Sequence, residues 1–405
     1  MATITAPPTD TQPATEHPAT GLPAAGHPST EAPAAGHPAA EAPAAAYRLD
    51  LGRLGPNWYA AVMGTAIVAN GAAALPVHLP GLIGFAELVW ALAATALVLL
   101  MAGRAVHHTR HRATARAQLL DDPATAVFYG CPPMALLAVG YGTLVVGSRV
   151  IGTGPAVAID LVLWGAGAVS AVLVAVGIPY LMITRHRLPA LQGNPTWLLP
   201  VVAPVVAASL GPALIPHLPG QWQLPMLYTC CLLLGAGLLA TALLLPVVLA
   251  GLLHSKLPTL VLAPSLFLVL GPLGQSTTAG NQLADAVKRV LPGAAGPVLA
   301  VSVLYGVAVM GFALLWLLIA AAANLRALKA GMPFAMTWWA FTFPVGTLVT
   351  GAAGLARHTG FAGFTALAVG LFALLLTTWA IATTRTLSAL AGRELLHSAE
   401  AAPTR

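Results

Sequence analysis

Ten apolar stretches, each about the length that crosses a bilayer, run from Trp58 to Thr384, and almost every charged residue falls between them. The stretches are 57–76, 84–104, 124–147, 154–183, 195–216, 223–251, 259–283, 296–324, 333–355 and 360–384. They are continuous rather than alternating, which selects helices over a barrel. The expected fold is therefore an all-α membrane protein with ten transmembrane helices.

Composition excludes most other classes. Charged residues make up 7% of the chain and apolar residues 58%, where soluble domains carry about 25% charge. The net charge of +6 is spread over short loops and forms no basic face, so nucleic acid is not an expected partner. Cys131, Cys230 and Cys231 lie in apolar stretches without metal-type spacing and read as core thiols. No cofactor or metal is expected.

The basic residues set an orientation. Of the 18 Lys and Arg residues, all but Arg149, Lys288, Arg289 and Arg357 fall on one side of the ten stretches. The positive-inside rule makes that side cytoplasmic and places both termini there, in a bacterial-type plasma membrane.

Residues 1–46 are of different material, with a recurring Pro-Ala-Ala-Gly-His-Pro unit. Such a tail buries too little apolar surface to offset chain entropy and reads as a disordered cytoplasmic segment. His17, His27 and His37 are weak metal candidates within a flexible spacer. Residues 47–386 are expected to form the ten-helix transmembrane domain, and 387–405 a short cytoplasmic tail.

The stretches alternate in character. Odd-numbered ones carry proline and polar residues in mid-segment: Thr65 and Asn70; Pro132 and Pro133; Pro200, Pro204 and Ser209; Pro272, Gln275 and Ser276; Thr342, Pro344 and Thr347. Even-numbered ones are mostly Leu, Ala and Val. Proline inside a helix frees a carbonyl, and in lipid that group needs protein or a wet cavity. The odd helices are thus expected to face inward, as the inner members of five helical hairpins around a central pore. The bland alternative is that the prolines only kink packed helices.

Glu87, Asp160 and Asp285 are the acids in or at the stretches, all near ends, and no Lys, Arg or His lies at a centre. Proton relays and cation sites usually need such a group. Hydroxyl and amide donors suit an anion instead, or a neutral solute.

The run Trp338-Trp339-Ala340-Phe341-Thr342-Phe343-Pro344, with Gly346 and Thr347, resembles the ninth helix of the tellurite-resistance/dicarboxylate transporter family. That family includes plant slow anion channels, fungal malate permeases and sulfite efflux proteins. Four more inner stretches are similar to its odd helices: Trp58 with Met63-Gly64-Thr65; Phe128, Gly130, Pro133 and Met134; Trp197 to Pro200 with Ala207; and Gly271 to Gln275. The resemblance implies a homotrimer with a path in each protomer. It also implies passage of small anions such as malate, another C4-dicarboxylate, sulfite or another oxyanion.

By motif, Phe343 is the family's pore gate. Spacing alone leaves it a gate or an ordinary core residue, with Phe341 as rival. Candidate pore-lining residues are Thr65, Asn70, Pro133, Pro204, Ser209, Gln275, Ser276, Thr342, Pro344 and Thr347. A proton-coupled exporter of the same anions is an alternative. An intramembrane enzyme using Cys131 or Ser209 is a remote one, since neither has a His or carboxylate close in sequence.

Overall fold

A computed structural model describes residues 48–49, 52, 54–188, 193–392 and 397–398. The tail 1–46, its three histidines, and most of 387–405 lie outside the described residues. The helices are α1 (Tyr59–Ala74), α2 (Leu82–Arg110), α3 (Pro123–Ile151), α4 (Thr153–Thr184) and α5 (Pro195–His217), followed by α6 (Gly220–Ser255), α7 (Leu260–Val290), α8 (Pro292–Lys329), α9 (Met336–Thr359) and α10 (Ala362–Ala391). Beside them stands a two-residue antiparallel bridge, Arg48–Leu49 with His397–Ser398.

Among the described residues, nine helices are long and apolar enough to cross a membrane. The helix below that length is α1, with 16 residues after a 3-10 turn at Pro56–Trp58. It is enclosed along nearly its whole length, with Ala61, Ala73 and Ala74 its only incompletely buried residues.

The odd helices form a closed inner ring. Around it, α1 packs on α3, α3 on α5, α5 on α7, α7 on α9, and α9 back on α1. Each even helix packs on its preceding odd helix, and also touches the next one around the ring. Burial follows the same division. Of the most apolar window, 61–94% is buried in α3, α5, α7 and α9, against 22–28% in the even helices. Leu88, Leu243 and Leu318 of the outer helices are 70%, 77% and 72% exposed. A belt of bare leucines on this scale needs lipid as its solvent. Cys131 and Cys230 are buried as expected, but Cys231 faces outward from α6.

The inner helices are irregular where the prolines fall. Each begins with, or follows, a 3-10 segment before turning α: at Pro56–Trp58, Val127–Gly130, Pro195–Trp197, Leu260–Val269 and Met336–Phe341. Pro132 and Pro344 sit in the first α turn, where the missing N–H is no loss. Outer side chains satisfy carbonyls along these helices. Trp164 Nε1 donates to Ala207 O at 2.9 Å, Trp316 Nε1 to Leu266 O at 2.9 Å, and Asn324 Nδ2 to Ala263 O at 3.1 Å. These bonds tie the outer helices to the backbone of the inner ring.

Arg104 does not lie free at the lipid surface. It is buried, donating to Leu54 O, to Gln118 Oε1 at 3.3 Å and to Tyr129 Oη at 3.3 Å. It pins the short helix Arg112–Leu120 to the bundle.

Candidate functional site

Three cavities are each bounded by all five inner helices. The first, about 20 Å³, touches Ala60, Phe128, Cys131, Thr196, Ser265 and Thr337, all from the N-terminal parts of those helices. The second, about 10 Å³, is bounded by Met63, Met134, Val202, Leu268, Gly271, Phe343 and Pro344. The third is a vestibule of about 230 Å³ in the C-terminal parts, with Asn70, Tyr141, Gln275, Thr278, Gln282, Thr350 and Arg357 among its walls. Since each cavity collects equivalent levels of all five helices, those helices run parallel. The cavities succeed one another along the ring axis.

The middle level is a constriction. Its walls are apolar, and Phe343 there is only 3% exposed. A helix rises 1.5 Å per residue, so Gln275 lies about 6 Å beyond Gly271, and Thr350 and Arg357 about 10 and 21 Å beyond Phe343. The vestibule thus deepens from an arginine rim to an amide floor and ends on an apolar neck. A larger apolar groove, about 400 Å³, opens between α4, α5 and α6. It faces outward and belongs to the lipid surface, not to the axis.

Of the residues expected to line a path, Asn70 and Gln275 reach the vestibule, and Phe343 and Pro344 reach the neck. The others face elsewhere. Thr65 Oγ1 donates to Ala61 O at 2.8 Å and accepts from the Trp379 indole at 3.2 Å, so it points at α10. Ser276 Oγ donates to Leu273 O at 3.0 Å and accepts from Tyr305 of α8 at 2.8 Å. Thr347 Oγ1 donates to Pro344 O at 2.6 Å, inside the α7–α9 contact. Thr342 Oγ1 donates to Trp339 O at 2.7 Å and packs on Gly64. Ser209 Oγ donates to Val206 O at 2.9 Å and accepts from the Gln275 amide, one layer behind the vestibule wall. The Pro133 carbonyl lies against Gly167 of α4, and Pro204 is buried within α5. Phe341 packs edge-on against Phe267 at 4.9 Å and Trp338 at 6.0 Å, away from the neck. Cys131 is at the small N-terminal cavity.

The lining expected from sequence did not include Met63, Met134, Val202, Leu268, Tyr141, Thr278, Gln282, Thr350 or Arg357. A signal was present in helical spacing. Met63, Ile67, Asn70 and Ala74 fall at i, i+4, i+7 and i+11, as do Gly271, Gln275, Thr278 and Gln282. Both sets are single helix faces. Asp160 lies in the first turns of α4 and is enclosed there, only 1% exposed against Gly140 of α3. It stands outside the ring, behind the vestibule wall.

A family model, SLAC1 voltage-dependent anion channel, matches residues 53–387, which takes in all ten helices nearly to the end of α10. The chain belongs to the SLAC1 family. An uncharacterized transporter of Methanocaldococcus jannaschii is 28% identical over 336 residues, covering 82% of this chain and 92% of that protein. A sulfite efflux pump of Arthroderma benhamiae is 28% identical over 311 residues, covering 75% of this chain and 82% of its own length. A sulfite efflux pump of Trichophyton rubrum matches with the same identity and coverage. In this SLAC1-family chain, the matched region holds the ring, the neck and the vestibule together.

Proposed function

We propose that the chain passes small anions along the ring axis, with Phe343 as the gate that closes the path. The observation that carries this is the axial sequence of arginine rim, amide and hydroxyl wall, and apolar neck, enclosed by five parallel helices. Arg357 is exposed at the vestibule and concentrates anions at its mouth. Thr278, Thr350, Tyr141 and Gln282 supply polar contacts in place of water. The neck is too narrow for water-filled conduction, and an aromatic ring there closes it by size and dewetting.

The sulfite efflux relatives support an oxyanion such as sulfite, and C4-dicarboxylates such as malate fit a vestibule of this size. Both termini lie on the cytoplasmic side by the distribution of basic residues, which makes the vestibule face outward across a plasma membrane. Three copies of the chain, each with its own path, form the working assembly.

The test is anion flux in proteoliposomes across chloride, nitrate, sulfite, malate and succinate, with and without a proton gradient. Anion flux with no accompanying flux of potassium is expected. Flux of potassium alone, or of no solute in folded protein, contradicts the reading. Arg357→Gln is expected to lower flux about threefold to tenfold at low ionic strength and to flatten its salt dependence. Equal salt dependence in the variant would remove Arg357 from the capture step.

A further inference from the structure

His358, in the last turn of α9, reaches two side chains of α7 at once. Its Nδ1 stands 2.9 Å from Asn281 Oδ1, and its Nε2 stands 2.9 Å from Asp285 Oδ1. Asn281 and Asp285 are one helical turn apart on one face of α7, so a single ring spans both. The cluster borders the vestibule. Asn281 is part of its wall, and so is Arg357, the residue before His358. The His358 side chain is 11% exposed and that of Asp285 51%.

The Asn281 amide has one workable orientation. Its Nδ2 donates to Thr277 O at 3.0 Å and to Gly351 O at 3.3 Å. Both partners are backbone carbonyls, which only accept, and a flipped amide would set oxygen against each of them. His358 therefore meets the Asn281 oxygen, and Nδ1 donates to it. The second ring nitrogen faces a carboxylate oxygen. A neutral imidazole has one N–H and serves one of these acceptors, whereas the imidazolium serves both. Moving the proton onto Asp285 leaves the count unchanged. Ring and carboxyl together hold one proton beyond a neutral ring and a free carboxylate. The pair is then neutral with that proton and carries one negative charge without it.

We infer that this shared proton regulates anion entry to the vestibule. The inference rests on the proposed anion transport and adds a control to it. With the proton in place, Asp285 is compensated and Arg357 draws anions to the mouth. Without it, a bare carboxylate stands near Arg357 and cancels part of that attraction. The Nε2–H bond that ties α9 to α7 is lost in the same step. Histidine is the side chain that ordinarily changes charge between pH 5 and 8, so entry should weaken as the pH at the mouth rises through that range. The remaining groups on the elements packed here do not supply such a response. On α7 they are Lys288 and Arg289, both exposed, and on α8 Tyr305, bonded to Ser276. Tyr141 of α3 accepts from Gln282 across the vestibule. By sequence, α1 and α10 bring no ionisable side chain to this end.

The experiment follows nitrate flux in proteoliposomes of the full chain at low ionic strength. Nitrate keeps its charge throughout, and equal pH on both faces removes any proton gradient. Wild-type flux is expected to fall about threefold to tenfold between about pH 5.5 and about pH 8.5. His358→Gln should hold flux near the low, alkaline level at every pH, and His358→Lys near the high, acid level. His78→Gln, an exposed histidine between α1 and α2, should keep the wild-type response. A flat wild-type profile, or a full response in either His358 variant, overturns the inference and leaves anion transport standing. No nitrate flux at any pH in monodisperse protein, with none of the other anions passing, overturns the transport reading itself. The two His358 variants move flux in opposite directions, so either one that folds decides the matter.

Discussion

Phe343→Ala is expected to raise anion flux in reconstituted vesicles at least about tenfold, with no cation flux added. The ring of Phe343 is nearly fully buried in a neck of about 10 Å³ whose other walls include Met63, Met134, Val202 and Leu268. Removing the aromatic ring joins the vestibule to the small cavity on the N-terminal side. Water can then enter both ends of a continuous path, and the dewetting barrier falls. Polar residues on the vestibule side are untouched, so selectivity for anions should be kept. Phe341→Ala serves as the control. Its ring packs on Phe267 and Trp338, so the loss is one of packing, and flux should not rise. Unchanged or lower flux in folded Phe343→Ala protein would place the gate elsewhere.

Gly274→Ala is expected to be among the most damaging single methyl additions in the ring. A Cβ there would stand 2.6 Å from the Thr347 carbonyl carbon and 2.7 Å from the Leu348 nitrogen. Both are backbone atoms of α9, so no side-chain rotation relieves the clash. The α7–α9 contact must open instead, at a cost of about 3 kcal/mol, the upper end of ordinary overpacking. Close approach through small residues is a common way for helices to pack in membranes. Melting followed in detergent should show a fall of several degrees or failure to yield monodisperse protein. Gly271→Ala, one turn away, is the matched control. A Cβ at Gly271 meets nothing within 4 Å, so the fold should hold while the neck narrows. Equal melting of the two variants would mean that α7 and α9 are less closely packed than described.

The architecture was legible because membrane physics acts on whole helices. Pro132, Pro200, Pro272 and Pro344 mark helices that need interior partners, and the four helices that carry them are the most buried of the nine long ones. The lining was less legible for a reason equally physical. A Ser or Thr in a helix satisfies its hydroxyl on the carbonyl three or four residues back, so its presence does not require a wet neighbour. Thr65, Ser209, Ser276, Thr342 and Thr347 all do this. Asn70 and Gln275 have more hydrogen-bonding groups than a helix can absorb, and those two do reach the cavity. The neck was invisible in composition, because Met63, Met134, Val202 and Leu268 are residues of any apolar core. Arg357 read as a loop charge that only reported topology. Its position fourteen residues after Phe343, close to four helical turns, puts both on one face.

The central claim is that one axial path runs through the ring and is interrupted at Phe343. Thr350→Cys, placed in the vestibule wall in a background with Cys131, Cys230 and Cys231 replaced by serine, tests it directly. A membrane-impermeant anionic thiol reagent is added to one face of sealed vesicles at a time, with Phe343 present or replaced by alanine. With Phe343 present, labelling is expected only from the face that carries Arg357; with Phe343→Ala, it is expected from both. Labelling from both faces while Phe343 is intact, or from neither face in the alanine variant, would contradict a path closed at that ring.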